Sequence, residues 1–149
     1  MEQARQARIE PIGSRQRAPS AMTMKVLSAA RVDEVRRLLE ASWSPATSSL
    51  WCPETPSRGQ CGVTALVIDD AFGGEILKTR VGSAWHFYNR IDGVRLDFTL
   101  GQFRTPISYE DVPSTRQEAF GDTNESQYAA LSEAFRAAQE AGRRARTRE

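Results

Sequence analysis

From Ser28 to Trp43 the apolar residues Val32, Val35, Leu38, Leu39 and Trp43 recur at steps of three and four, the spacing of one helical face, and predict a first helix. Residues 44–49 have the composition of a loop, and Pro53 and Pro56 forbid a helix interior in the stretch that follows. Ser57-Arg58-Gly59-Gln60 fits the pattern in which a Ser hydroxyl and a Gln three residues on satisfy each other's free amides, so a second helix is expected to start there. Its continuation to Phe72 is apolar or small on nearly all sides, as a central buried helix would be, and Gly73-Gly74 supply the left-handed backbone that ends it. Three strands are then expected, at 75–81, 85–91 and 94–100, the last two joined by an Asp92-Gly93 hairpin turn. Pro106 and Pro113 mark an irregular stretch. Asn124-Glu125-Ser126-Gln127 can cap a last helix that carries Tyr128, Leu131, Phe135 and Ala138 on one stripe.

Helices on either side of an antiparallel meander make this an α+β chain, and 149 residues suffice for one domain and not for two ordinary ones. Residues 1–23 lack sustained periodicity and are expected to be disordered, with Met22 or Met24 as alternative starts; 24–140 form the domain, and the basic tail 141–149 is expected to fray from Arg143. There is no internal repeat. Composition fits a soluble globular protein, with 26% charged and 40% hydrophobic residues. No apolar run is long enough to cross a bilayer and the N-terminus is polar, which points to a cytoplasmic protein without membrane attachment.

The net charge of +1 conceals a division, because the basic ends carry +2 and +3 and leave 24–140 at −4. A mildly acidic core offers no electrostatic footprint for nucleic acid, where clustered Lys and Arg dominate affinity. Cys52 and Cys61 have neither a disulfide framework nor the spacing of a zinc or thioredoxin motif.

Chemistry gathers around Cys61. It falls in the first turn of the buried helix, where unpaired amides and the helix dipole favour an anion and so lower a thiol's pKa. A free Cys is also an ordinary small hydrophobe in many cores. The hairpin supplies a sharper test. A two-residue turn at Asp92-Gly93 pairs Ile91 with Val94 and puts Trp85, Phe87, Asn89, Ile91, Val94, Leu96 and Phe98 on one, largely apolar face. The other face collects His86, Tyr88, Arg90, Arg95, Asp97 and Thr99, with His86 opposite Thr99 and Asp97 its diagonal neighbour, within hydrogen-bonding reach. Cys61, His86 and Asp97 are then the parts of an activated thiol: the imidazole shares the thiol proton and the acid fixes the imidazole's tautomer. A single histidine with a plain structural role would remove this reading.

Around that triad, oxyanion stabilisation would come from the Cys61 amide and its neighbours, with the Gln60 side chain preferred over Asn89, which parity places on the apolar face. Trp51, Trp85 and Tyr88 are candidates to line a substrate cleft, against the plainer reading of aromatic core. Arg90 and Arg95, cross-strand neighbours, could bind a carboxylate or phosphate or simply pair with nearby acids. A zinc ion held by Cys61, His86 and Asp97 is a third option, without a familiar spacing or a fourth ligand.

The blocks Ser57-Arg58-Gly59-Gln60-Cys61-Gly62-Val63-Thr64-Ala65-Leu66-Val67, Gly73-Gly74-Glu75-Ile76-Leu77, His86-Phe87-Tyr88-Asn89-Arg90 and Leu96-Asp97-Phe98-Thr99 with Gln102-Phe103, in this order, resemble the YunG-like family of small bacterial proteins over roughly residues 28–138. That family implies no activity. More distantly, the arrangement is similar to the core of transglutaminase-like and papain-like thiol enzymes, which implies Cys61 as nucleophile, His86 as base and Asp97 as orienting acid. It departs from papain-like proteases where their oxyanion-hole Gln would stand, since that position is Thr55 here, and Gln60 is the nearest substitute. The expectation is therefore a papain/transglutaminase-like α+β core, its Cys-bearing helix packed on an antiparallel sheet of three or more strands with flanking helices. It would perform cofactor-free acyl transfer on a small-molecule or peptide substrate, by hydrolysis, deamidation or transfer to an amine. The competing expectation is a non-catalytic binding or scaffold module of the same fold.

Overall fold

The computed structural model describes residues 27–148, so the expectations for residues 1–23 and for the start of the chain lie outside the described residues. Helix α1 (Ala29–Ser42) begins where the periodicity does, with the Ser28 hydroxyl accepting the Arg31 N–H. It turns Val35, Leu39 and Trp43 inward. Helix α2 (Cys61–Phe72) is buried continuously from Cys61 to Ile68. One side of α2 meets α1 and the last helix through Val63, Val67 and Ile68, and the other meets the sheet through Cys61, Ala65 and Leu66. From Cys61 to Ile68 the helix has no solvent face and so no polar stripe, and only its last turn, with Asp69 and Asp70, reaches the surface.

The sheet is antiparallel and four-stranded, in the order β3-β2-β1-β4. Strands β1 (Glu75–Val81) and β2 (Ala84–Ile91) pair along their length without a bulge. Strand β3 (Val94–Leu96) follows the Asp92-Gly93 turn, whose φ angles of 52° and 81° are the left-handed pair that such a hairpin needs. Its register is the expected one, Ile91 with Val94 and Asn89 with Leu96. The strand is shorter than expected, however, and His86 and Thr99 never become partners; His86 pairs with Thr79 on β1 instead. The cause is local: Asp97 Oδ1 accepts the Thr99 N–H at 3.2 Å, and a side chain that bonds the backbone two residues on turns the chain out of the ladder. A short 3₁₀ turn at Leu100–Gln102 follows.

The irregular stretch holds a two-residue edge strand, β4 (Val112–Pro113), and a short helix, α3 (Arg116–Phe120). The last helix, α4 (Glu125–Thr147), is capped by Asn124 and buries Leu131 and Phe135 on the predicted stripe. It does not end near Arg143, as a fraying tail would; it continues to Thr147, and Arg146 reaches Glu34 of α1 at 2.5 Å. Among the described residues no helix is long and apolar enough to cross a membrane.

The second helix also starts later than expected. Ser57 does not cap it; Gln60 is the capping residue by position and offers no side-chain hydrogen bond to the helix. Its amide, wholly buried, accepts from Thr47 Oγ1 at 2.9 Å and donates to the Pro56 carbonyl at 3.3 Å. Gln60 thus ties down the proline-bearing loop that leads into Cys61.

Candidate active site

Parity along β2 decides what each side chain can meet. The odd-numbered face of Trp85, Phe87, Asn89 and Ile91 turns towards α2, and Asn89, as expected on that face, donates to the Ala65 carbonyl at 3.1 Å. The even-numbered face carries His86 and Tyr88 and was expected to be the polar one. It is buried as well, because the chain after β3 folds back over it: Phe103 packs edge-on against the His86 ring and Tyr109 against Tyr88.

On that covered face the expected His86–Asp97 pair is formed, Nε2 to Oδ2 at 2.8 Å. Asp97 is itself held. Its Oδ2 also accepts the Tyr109 hydroxyl at 2.8 Å, and Oδ1 accepts the backbone and hydroxyl of Thr99. With Nε2 donating to the carboxylate, the free lone pair of the ring lies on Nδ1, and this atom is buried without a hydrogen-bond partner. Burial pushes the Tyr109 hydroxyl up, and its bond to Asp97 adds to the effect.

Cys61 stands at the first position of α2, 8% exposed. Its thiol approaches β2 at the Phe87 backbone, the residue next to His86, and that backbone hydrogen bond lowers its pKa. Burial and the neighbouring Asp122 carboxylate, with a smaller push from Asp97, outweigh it and raise the thiol to about 12. The expected close contact between sulfur and imidazole is not among its hydrogen bonds: Sγ donates to Asp122 Oδ2 at 3.4 Å. The same oxygen accepts the Gly62 N–H at 3.0 Å. Asp122 is an exposed residue of the α3–α4 turn whose carboxylate points inward. Burial of that carboxylate raises its pKa, while its bonds to Cys61 and Gly62 and the charge of nearby His86 lower it. Asp97 and Asp122 thus both bear on the Cys61 thiol, and His86 bears on Asp122.

The remaining candidates divide. Gln60 is wholly buried and bonded to Thr47 and Pro56, so its side chain is turned into the loop and not presented to a substrate as the expected oxyanion role requires. Trp85 does line a cavity, of about 380 Å³, with Phe87, Lys78, Glu118 and Asp122, and Lys78 Nζ lies 4.4 Å from its ring centroid. Trp51 packs beside the core under α1 instead of lining this cavity. Tyr88 is no cleft wall: its hydroxyl donates to Asp111 Oδ1 at 2.8 Å, and burial pushes it up to about 12. Arg90 and Arg95 take the plainer of their two readings. Arg90 pairs with Glu75 at 2.8 Å, and Arg95 grips Asp111 through two bonds of 2.9 and 2.6 Å. Among the described residues no cluster of three or more His, Cys, Asp or Glu side chains is placed to hold a metal ion.

Two residues of this neighbourhood escape sequence reading. Tyr109 lies in the irregular stretch, and Asp122 follows a five-residue helix that no periodicity announces. The one available signal for Asp122 is Gly62, an unusual choice inside a helix: a Cβ there would come within 2.6 Å of Asp122 Oδ2 and 2.9 Å of the Ala119 carbonyl.

A family model described as YunG protein matches residues 31–140. A curated relative from Bacillus subtilis (strain 168), named "Uncharacterized protein YunG", is 60% identical over 104 residues, which cover 70% of this chain and 90% of the relative. No solved structure matches the chain.

Proposed function

The chain belongs to the YunG protein family, and from its site we propose that it is a thiol-dependent acyl-transfer enzyme with a papain-like or transglutaminase-like core. One observation carries the reading: a histidine 2% exposed, oriented by a carboxylate at 2.8 Å, keeps its second ring nitrogen unpartnered, and the Asp122 carboxylate that its charge reaches also accepts the Cys61 thiol at a helix N-terminus. Orienting an imidazole in this way has no structural return at Nδ1, where burial without a partner costs free energy. It has a chemical one.

In the proposed reaction Cys61 sulfur attacks the carbonyl carbon of an amide or thioester, and its proton passes to His86 Nδ1. The tetrahedral intermediate collapses as the bond to the leaving amine or thiol breaks and His86 returns the proton to it. Water or an amine, deprotonated by His86, then releases the acyl group from sulfur. Asp97 keeps Nε2 protonated throughout, which keeps Nδ1 available, and Tyr109 and Thr99 hold Asp97. The substrate's approach is the cavity beside Trp85 and Phe87, and backbone amides at the start of α2 take the place expected of Gln60 in stabilising the oxyanion.

A second reading has its own support. With its proton directed to Asp122 and its pKa near 12, the thiol at rest is that of a non-catalytic binding or scaffold module. Exposure to p-nitrophenyl acetate, read by intact mass and peptide mapping, separates the two. An acyl-transfer enzyme acquires one acetyl group on Cys61, and His86→Ala slows that step by roughly a hundredfold. Wild-type protein that acetylates Cys61 no faster than the His86→Ala variant would leave the scaffold.

A further inference from the structure

We propose that Asp122 is a displaceable plug: its carboxylate occupies the place that an acyl substrate's carbonyl oxygen would take, and the site becomes reactive when the 121–123 turn carries it away. This rests on the acyl-transfer reading for what is blocked, but not for the block itself, which is a matter of geometry.

Three observations converge. First, the Gly62 N–H and the Cys61 thiol aim at one oxygen, Asp122 Oδ2, at 3.0 and 3.4 Å. An amide beside the nucleophile is the donor that would stabilise the oxygen of a tetrahedral intermediate, so a resident carboxylate there competes with substrate for it. Second, the helix is cut away to admit that carboxylate, since a Cβ at Gly62 would lie 2.6 and 2.7 Å from Oδ2 and Cβ of Asp122. Third, Asp122 comes from the surface. It is exposed, lines the cavity beside Trp85 and Phe87, and is carried on a short turn closed by Asp122 N–H to Ala119 and Thr123 N–H to Phe120 bonds of 3.0 and 3.2 Å. Such a turn, held by two backbone bonds at the surface, can move at low cost, and its departure would free the Gly62 N–H and the Cys61 thiol of the carboxylate they now share. While the plug is in place its negative charge opposes thiolate formation.

The test uses the full chain and iodoacetamide, with Cys52 as internal reference. Asp122→Ala and the isosteric Asp122→Asn should each raise the Cys61 alkylation rate by about tenfold or more at near-neutral pH and move the midpoint of its pH–rate profile to lower pH, with the Cys52 rate unchanged. An unchanged Cys61 rate and midpoint in both variants, with native circular dichroism, overturns the plug. Adding His86→Ala to Asp122→Ala tells the two readings apart. If it slows the unplugged thiol, both stand. If it does not, the plug stands and the imidazole-activated thiol falls. If Asp122 variants change nothing while His86→Ala slows acetylation of the wild type, the plug falls and the enzyme remains.

Discussion

Asp97 accepts four hydrogen bonds, from His86, Tyr109 and twice from Thr99, and these take the place of the water it lost on burial. Its loss should be felt in stability as well as chemistry. Asp97→Ala leaves several buried donors unpaired and is expected to cost about 2–4 kcal/mol, measured by urea unfolding. Tyr109→Phe removes one donor, keeps the ring against Tyr88, and should cost only about 1 kcal/mol. At this scale the sequence was readable along and just past the hairpin ladder: parity predicted the His86–Asp97 pair, although Asp97 stands one residue beyond the end of β3. It was unreadable where a side chain enters from a turn. Asp122 is 61 positions from Cys61, and nothing periodic ties the two. The arginines illustrate a different limit, since a cross-strand pair of positive charges looks alike in sequence whether acids such as Glu75 and Asp111 come to meet it or not.

The elements were legible in proportion to how much of their structure is local. Strand β1 has the expected bounds, because alternation and the Gly73-Gly74 stop are both near in sequence. The hairpin is as local, and it gives a clean prediction: nothing lies within 4 Å of where a Cβ at Gly93 would point, so Gly93→Ala pays only for a left-handed backbone, about 1–2 kcal/mol in the melting analysis. Strand β3 was overread because 94–100 keeps its alternation through residues that Asp97 has already turned aside. The start of α2 was misplaced for the opposite reason. The Ser57–Gln60 pattern is a genuine capping signature by composition, but Thr47, distant in sequence, claims the Gln60 amide. Asn124, by contrast, does cap α4 by accepting the Gln127 N–H at 2.8 Å, and Asn124→Ala should lower stability by about 1 kcal/mol in the same assay.

Over the whole molecule, the sheet is sandwiched between α2 and the returning chain, and Asp111 is one of the fastenings of that return. The Arg95 guanidinium holds its carboxyl down to about 2, against burial and with help from the Tyr88 hydroxyl. A carboxyl whose folded pKa lies below its unfolded value contributes stability at higher pH and loses it as pH falls from 3.8 towards 2. Acid melting curves should therefore be shallower across that interval for Asp111→Asn than for the wild type. The α+β class and the central position of α2 were readable from periodicity, whereas the covering of the His86 face was not, because residues 101–113, which bring Phe103 and Tyr109 onto it, carry no regular pattern of their own.

Two acids, Asp97 and Asp122, bear on the same sulfur. Reagents of equal size then sort by their sign at Cys61. Iodoacetate, which arrives carrying a negative charge, meets repulsion that its uncharged amide does not, and the ratio of the two rates should fall well below the ratio at Cys52. Under the acyl-transfer reading we propose, a substrate is held to the same rule: its reacting end would enter without an anionic group of its own.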